Sequence, residues 1–173
     1  MAVCAFVSFR LGLTDGVSVV TGHWQRAVES MGFDAVTVAG EGPVDRTVAG
    51  LELAATNPPD LAELRAALAD ADLIVVENLC TIPLNLPAAP SCGEICAGRP
   101  TVMHHHDPPW QRAHFAHITE LPIQDPAWRH VTINDLTRDQ FRDRGIDAIR
   151  IYNGFPTETR PGTSPELRAM LDI

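Results

Sequence analysis

Lysine is absent from this chain: its 13 basic residues are all arginine, and 22 acidic residues outweigh them to give a net charge of −9. Binding to nucleic acid needs a clustered basic face, so this balance argues against it. Long apolar runs are missing as well. No stretch approaches the roughly 18 residues of a membrane-crossing helix, and no span is expected. The opening Met1–Phe9 carries no basic segment ahead of its short apolar run, which Arg10 closes, so no secretory leader is expected. Cysteine is scarce. Cys4, Cys80, Cys92 and Cys96 lack the spacing of a disulfide-stapled secreted domain, which points to reduced thiols and a cytoplasmic location. Cys92 and Cys96 would supply half of a metal site, but no second cysteine pair follows to complete it. What remains, 45% hydrophobic and 20% charged in 173 residues, is the composition of one ordinary globular domain.

Short apolar runs alternate with helical patterns. Val3–Ser8 reads as a buried strand, and Ser18 to Met31 has helical spacing, with Val19, Val20, Trp24, Ala27, Val28 and Met31 on one face and Gly32 as its stop. Ala35–Ala39 is a second strand, with a short third near Val48–Leu53. Asn57-Pro-Pro-Asp60 opens a helix over Leu61–Ala69, and Leu73–Val76 is the next strand, ending in Glu77-Asn78. Residues 81–98 are proline-rich and mixed. Thr101–His104 and Val131–Ile133 are strands. Asn134 caps a helix from Asp135 to Arg144, and Ala148–Tyr152 is the last strand. Strands of continuous apolar residues separated by helices predict a Rossmann-like α/β domain, a parallel sheet with helices on both faces, over residues 1–155. Residues 156–173 read as a proline-rich linker and the start of a helix that leads toward a second domain absent from this chain.

The candidate chemistry lies where strands end. Val102-Met103 stops abruptly in His104-His105-His106-Asp107, at the carboxyl edge where an open α/β sheet forms its ligand crevice. Alternation puts His104 and His106 on one side and His105 on the other. Three uses are open to such a pair: zinc chelation with Asp107 as third ligand, hydrogen bonding or proton transfer in a polyol site, or structural satisfaction within the fold. His114 and His117 have weaker claims to the same site. Glu77 and Asn78 close one strand and reach the crevice edge, as do Asn134 and Asp135, with Asn134 also fitting a helix cap. In the loop Gly12–Ser18, a glycine at a helix start lets backbone amides approach an anion; a tight turn capped by Thr14 or Asp15 is the alternative. Trp110 and Trp128 fit packing under a long loop or a stacking platform for a sugar ring. Arg138, Arg142 and Arg144, interleaved with Asp139 and Asp143, read as a solvated helix face.

Three of these segments, in this order and spacing, resemble the N-terminal domain of a GT-B glycosyltransferase of the large retaining family 4. Asp15-Gly16-Val17-Ser18 is similar to that family's glycine loop after the first strand. His104–Asp107 is similar to its histidine-bearing strand end, and Ile151-Tyr-Asn-Gly-Phe155 to the element that closes the domain. Asp15 stands where the family has the first glycine of a pair, and Pro156 where its closing motif has aspartate. The resemblance implies transfer of a sugar from a nucleotide-diphosphate donor to an acceptor hydroxyl with retained configuration, without a metal or other cofactor. Carried over, it places Gly16 and Val17 near the donor phosphates and His104 or His106 facing the reacting sugar and acceptor, with both histidines kept as catalytic candidates. From their places at the strand ends and loops, Asp107 joins the catalytic candidates, and Asp15, Glu77, Asn78, Asn134 and Asn153 join Gly16 and Val17 as expected substrate contacts. A donor-binding domain, in cis or on a separate chain, would complete the enzyme. Two other readings stand beside it: a non-catalytic ligand- or partner-binding module, and a zinc hydrolase built on His104, His106 and Asp107.

Overall fold

The computed structural model describes residues 1–154, so Phe155 and the expected linker and helix over 156–173 lie outside the described residues. Seven strands form one sheet in the order β3-β2-β1-β4-β5-β6-β7, every pairing parallel. They are β1 (Ala2–Arg10), β2 (Phe33–Glu41), β3 (Arg46–Thr47), β4 (Leu73–Glu77), β5 (Thr101–His105), β6 (Trp128–Thr132) and β7 (Ala148–Arg150). The helices are α1 (Gly16–Ser30), α2 (Leu61–Ala67), α3 (Ala88–Cys96) and α4 (Asp135–Arg142). This is a Rossmann-like α/β domain.

The alternation of β1 builds both cores. Cys4 and Phe6 face one side, where Trp24 and Val28 of α1 cover them. Ala5, Val7 and Phe9 face the other, against Leu64 and Leu68 at α2 and Ala88, Cys92 and Ile95 of α3. Burying a leucine such as Leu64 or Leu68 fully is worth roughly 1.5–3 kcal/mol before entropy is counted. Consecutive strands on the β4 side run right and those on the β2 side run left, so the order reverses between β1 and β4. In an open sheet, the crevice for ligands forms at such a reversal.

Several boundaries differ from the sequence expectation, each for a local reason. Helix α1 starts two residues early because Asp15 caps it, Oδ1 accepting from the amides of Val17 and Ser18. Its buried face includes Ser18 and Thr21, whose hydroxyls bond Asp15 Oδ2 and the Val17 carbonyl, while Val19 and Met31 are exposed. The third strand is only Arg46–Thr47, not Val48–Leu53. Val48 and Leu51 are buried from an irregular segment that turns at Gly50, with φ +88°. Helix α3 occupies part of the proline-rich stretch, since Pro90 falls in its first turn, where no intrahelical amide is required. β6 begins at Trp128 rather than Val131, and β7 ends at Arg150 rather than Tyr152. Helices α2 and α4 end two residues early, at Ala67 and Arg142.

Candidate functional site

The parallel register of β4 and β5 sets Glu77 directly beside His104. Glu77 is wholly buried, and its Oε2 lies 2.8 Å from Nδ1 of His104 and 3.1 Å from Nε2 of His106. Burial pushes the Glu77 carboxyl up, but the hydrogen bonds from His104 and His106 outweigh it and hold the group below its ordinary 4.5. The carboxylate therefore accepts from both rings, which fixes Nδ1–H on His104 and Nε2–H on His106. Two atoms remain unsatisfied in this cluster among the described residues: Glu77 Oε1 and His104 Nε2.

The two histidines are not equivalent. His104 is fully buried and packs on Trp24 of α1, ring centroids 4.5 Å apart. His106 lines a cleft of about 550 Å³ together with Asp15, Gly16, Val17, Asp107 and Asn153. A second lobe, about 370 Å³, shares Asp15, Val17 and Asp107 and extends past Asn78 toward Arg10 and Arg112. Asn153 Oδ1 is buried with no partner among the described residues.

Asn78 binds the strand ends together. It holds φ +59°, in the left-handed region that asparagine tolerates better than most residues. Its amide donates to the His104 carbonyl at 2.9 Å, and its Oδ1 accepts the amides of His106 at 3.1 Å and Asp107 at 3.2 Å. Its Nδ2 reaches Asp107 Oδ2 at 3.4 Å. Ser8 Oγ donates to the Glu77 carbonyl at 2.9 Å and joins β1 to the same bracket.

His105 lies on the opposite face, as alternation requires. Its ring bonds Thr81 Oγ1 and His130 Nδ1 and packs on Phe141 of α4. Burial first, then the neighbouring His130, His104 and His106, push it well below the ordinary 6.5; burial also lowers His130. Both are neutral rings of the core.

The structure thus gathers Asp15, Gly16, Val17, His106, Asp107 and Asn153 along one crevice and sets Glu77 and His104 behind it. Asn134 is elsewhere: its side chain caps α4, Oδ1 accepting from Thr137 N at 2.7 Å. Asp107 turns its carboxylate to Arg112 and Asn78, so the third group at the histidine pair is Glu77. Among the described residues, Glu77, His104 and His106 are the one group able to hold a metal ion, their ligand atoms within 4.8 Å of one another. Cys92 and Cys96 are buried in the core, with Cys96 kept protonated by its hydrogen bond with Cys92 and by burial.

Both tryptophans pack. Trp128 is buried and donates to the Cys96 carbonyl, while Trp110 lies against Phe141 and under Arg144. At the amide end of α1, Asp15 already takes the N–H groups of Val17 and Ser18. Sequence reading missed the walls of the smaller lobe, Phe9, Arg10, Leu53, Leu84, Arg112 and Phe115. Arg10 alone carried a signal, as the first charge after the apolar run of β1.

No protein-family model matches the chain, and no solved structure matches it. A protein named mannosylglucosylglycerate synthase from Petrotoga mobilis is 24% identical over 86% of this chain and 44% of its own length. One of the same name from Thermotoga maritima is 29% identical over 94% of this chain and 47% of its own. The chain spans about half the length of the curated relatives it matches. At low identity, and along most of its own length, it is similar to glycosyltransferases.

Proposed function

We propose that this chain is the acceptor-side domain of a retaining glycosyltransferase of GT-B architecture, moving a hexose from a nucleotide-diphosphate sugar to an acceptor hydroxyl. The observation that carries the reading is His106 at the floor of the crevice with a buried carboxylate behind it. The relatives' name describes a product joining mannosyl and glucosyl groups to glycerate, which supports a small polyol acceptor here. A donor-binding domain, in cis or on another chain, supplies the nucleotide-sugar side. Four buried, unbridged cysteines fit a cytoplasmic setting, and no helix among the described residues is long and apolar enough to cross a membrane.

Glu77 orients His106 through Nε2–H, leaving Nδ1 as the nitrogen available to a ligand. For the configuration to be retained, an acceptor hydroxyl donating to Nδ1 attacks the anomeric carbon from the face that the diphosphate leaves. The sugar–phosphate C–O bond breaks as the new C–O bond forms, and the ring takes the hydroxyl proton. The departing diphosphate gathers negative charge near the start of α1, where the Gly16 amide and the helix dipole oppose it. Asp15 and Val17 border that position and Asn153 faces the sugar from the far wall. Asp107 shapes the site from beneath, fixed by Asn78 and Arg112.

The test is transfer by this chain joined to, or mixed with, its donor-binding domain. The assay supplies radiolabelled nucleotide-diphosphate hexoses and glycerate-bearing acceptors. Product formation that His106→Ala abolishes supports the reading. No transfer with any donor leaves a ligand-binding module in its place.

A further inference from the structure

We infer that the smaller lobe of the crevice is a carboxylate subsite for the acceptor, with Arg10 and Arg112 as its cationic walls; this rests on the acceptor-side reading above. The lobe holds about 370 Å³, room for a molecule of one or two sugar units, and Phe9, Leu53, Ile82, Leu84 and Phe115 make much of its wall apolar. Two arginines stand in that apolar setting on a chain whose net charge is −9. One comes from the end of β1 and the other from the segment after β5, so they reach the lobe from separate elements.

Neither guanidinium is fully engaged. The Arg10 guanidinium has one ion pair among the described residues, Nε 3.4 Å from Asp15 Oδ2, and donates no side-chain hydrogen bond there. Asp15 is itself divided: Oδ1 accepts the amides of Val17 and Ser18, and Oδ2 accepts Ser18 Oγ at 3.0 Å. The same carboxylate also sits on the positive end of α1, so Arg10 keeps charge to offer. Arg112 gives one N–H to Asp107 Oδ1, while Asn78 takes the other Asp107 oxygen. Each arginine has five N–H donors in a planar fork, and both forks keep most of theirs.

A carboxylate is the anion that suits this pair. Its two oxygens match the guanidinium fork. As a monoanion it tolerates Asp15 and Asp107 nearby better than a phosphate dianion does. Anchored in the small lobe, it directs the rest of the acceptor past the shared wall of Asp15, Val17 and Asp107 toward His106 in the larger lobe.

Calorimetric titration of this chain with a glucoside of glycerate, and with the carboxamide of the same glucoside, tests the subsite. The acid binds at least about tenfold tighter than the amide, about 1.4 kcal/mol, and the preference shrinks in 0.5 M salt. Arg10→Gln with Arg112→Gln brings the acid down to the amide's affinity, while Arg142→Gln on the exposed face of α4 keeps the preference. Equal binding of acid and amide by the unaltered chain, or a preference that survives in the double variant, overturns the subsite and leaves the acceptor-side reading standing. Binding of neither glucoside overturns the acceptor-side reading and the subsite together.

Discussion

Glu77 and His106 meet 3.1 Å apart, carboxylate oxygen to ring nitrogen, with the acid wholly buried and the ring at the crevice wall. The buried carboxylate decides which nitrogen of the His106 ring is free. Substituting Glu77 with Gln keeps an oxygen for both rings and removes the negative charge that stabilises the His106 ring as it takes the acceptor's proton. A loss of about 1.4 kcal/mol of transition-state stabilisation is tenfold in rate, so E77Q lowers kcat by about that factor and leaves the melting temperature within a few degrees. Glu77→Ala strips the acceptor from two buried N–H groups and opens a cavity, and costs roughly 3 kcal/mol or more in urea unfolding.

Removal of the ring itself is a cleaner loss. His106→Ala in the complete enzyme lowers turnover by about 10²- to 10⁴-fold, with little change in the far-ultraviolet spectrum or the melt. Unchanged turnover would falsify a role for His106 in the chemistry.

Acid weakens this fold in two separate windows. His105 and His130 have folded pKa values below the ordinary 6.5, so the unfolded chain takes up protons that the folded core refuses. Their contribution is complete above about pH 6.5 and falls as pH drops below it, by up to about 1.4 kcal/mol per unit for each ring. Glu77 is also depressed, and its contribution is lost only as pH falls below about its ordinary 4.5. Urea midpoints at pH 7.5 and 5.5 should fall in step with the first window. His130→Asn should flatten that slope.

Asp15 acts on stability and on charge, and two substitutions separate them. Asp15→Asn retains a capping oxygen for Val17 and Ser18 and holds the melt, whereas Asp15→Ala costs about 1 kcal/mol. Both remove a carboxylate from the path of a diphosphate. Near water, such a charge is worth about 1 kcal/mol at 4 Å, so the donor KM falls about fivefold in either variant.

The alternating pattern of the chain was enough to read the parallel sheet, the side on which each of His104, His105 and His106 lies, and Asn134 as a cap. Those features depend on period and on local hydrogen bonds. Helix α3 was hidden because Pro87 and Pro90 look like breakers until their place at the helix start is known. Trp128-Arg-His began β6 unseen, since Arg129 is exposed and interrupts the apolar run. The pairing of Glu77 with the histidines needed the register between β4 and β5, which no window of sequence contains. The smaller lobe was out of reach for the same reason: Arg10 and Arg112 are separated by most of the sheet's connections and meet only at its reversal point.

Asn78 has little room to drift. Its backbone demands a residue at ease with φ +59°, the amides of His106 and Asp107 need an acceptor, and Asp107 needs a neighbour that is not negative. Glycine meets the first demand and fails the second. Aspartate meets both and sets a second carboxylate against Asp107. Among short polar side chains asparagine alone satisfies all three, so replacements tolerated in the surrounding apolar core are closed to this one loop position.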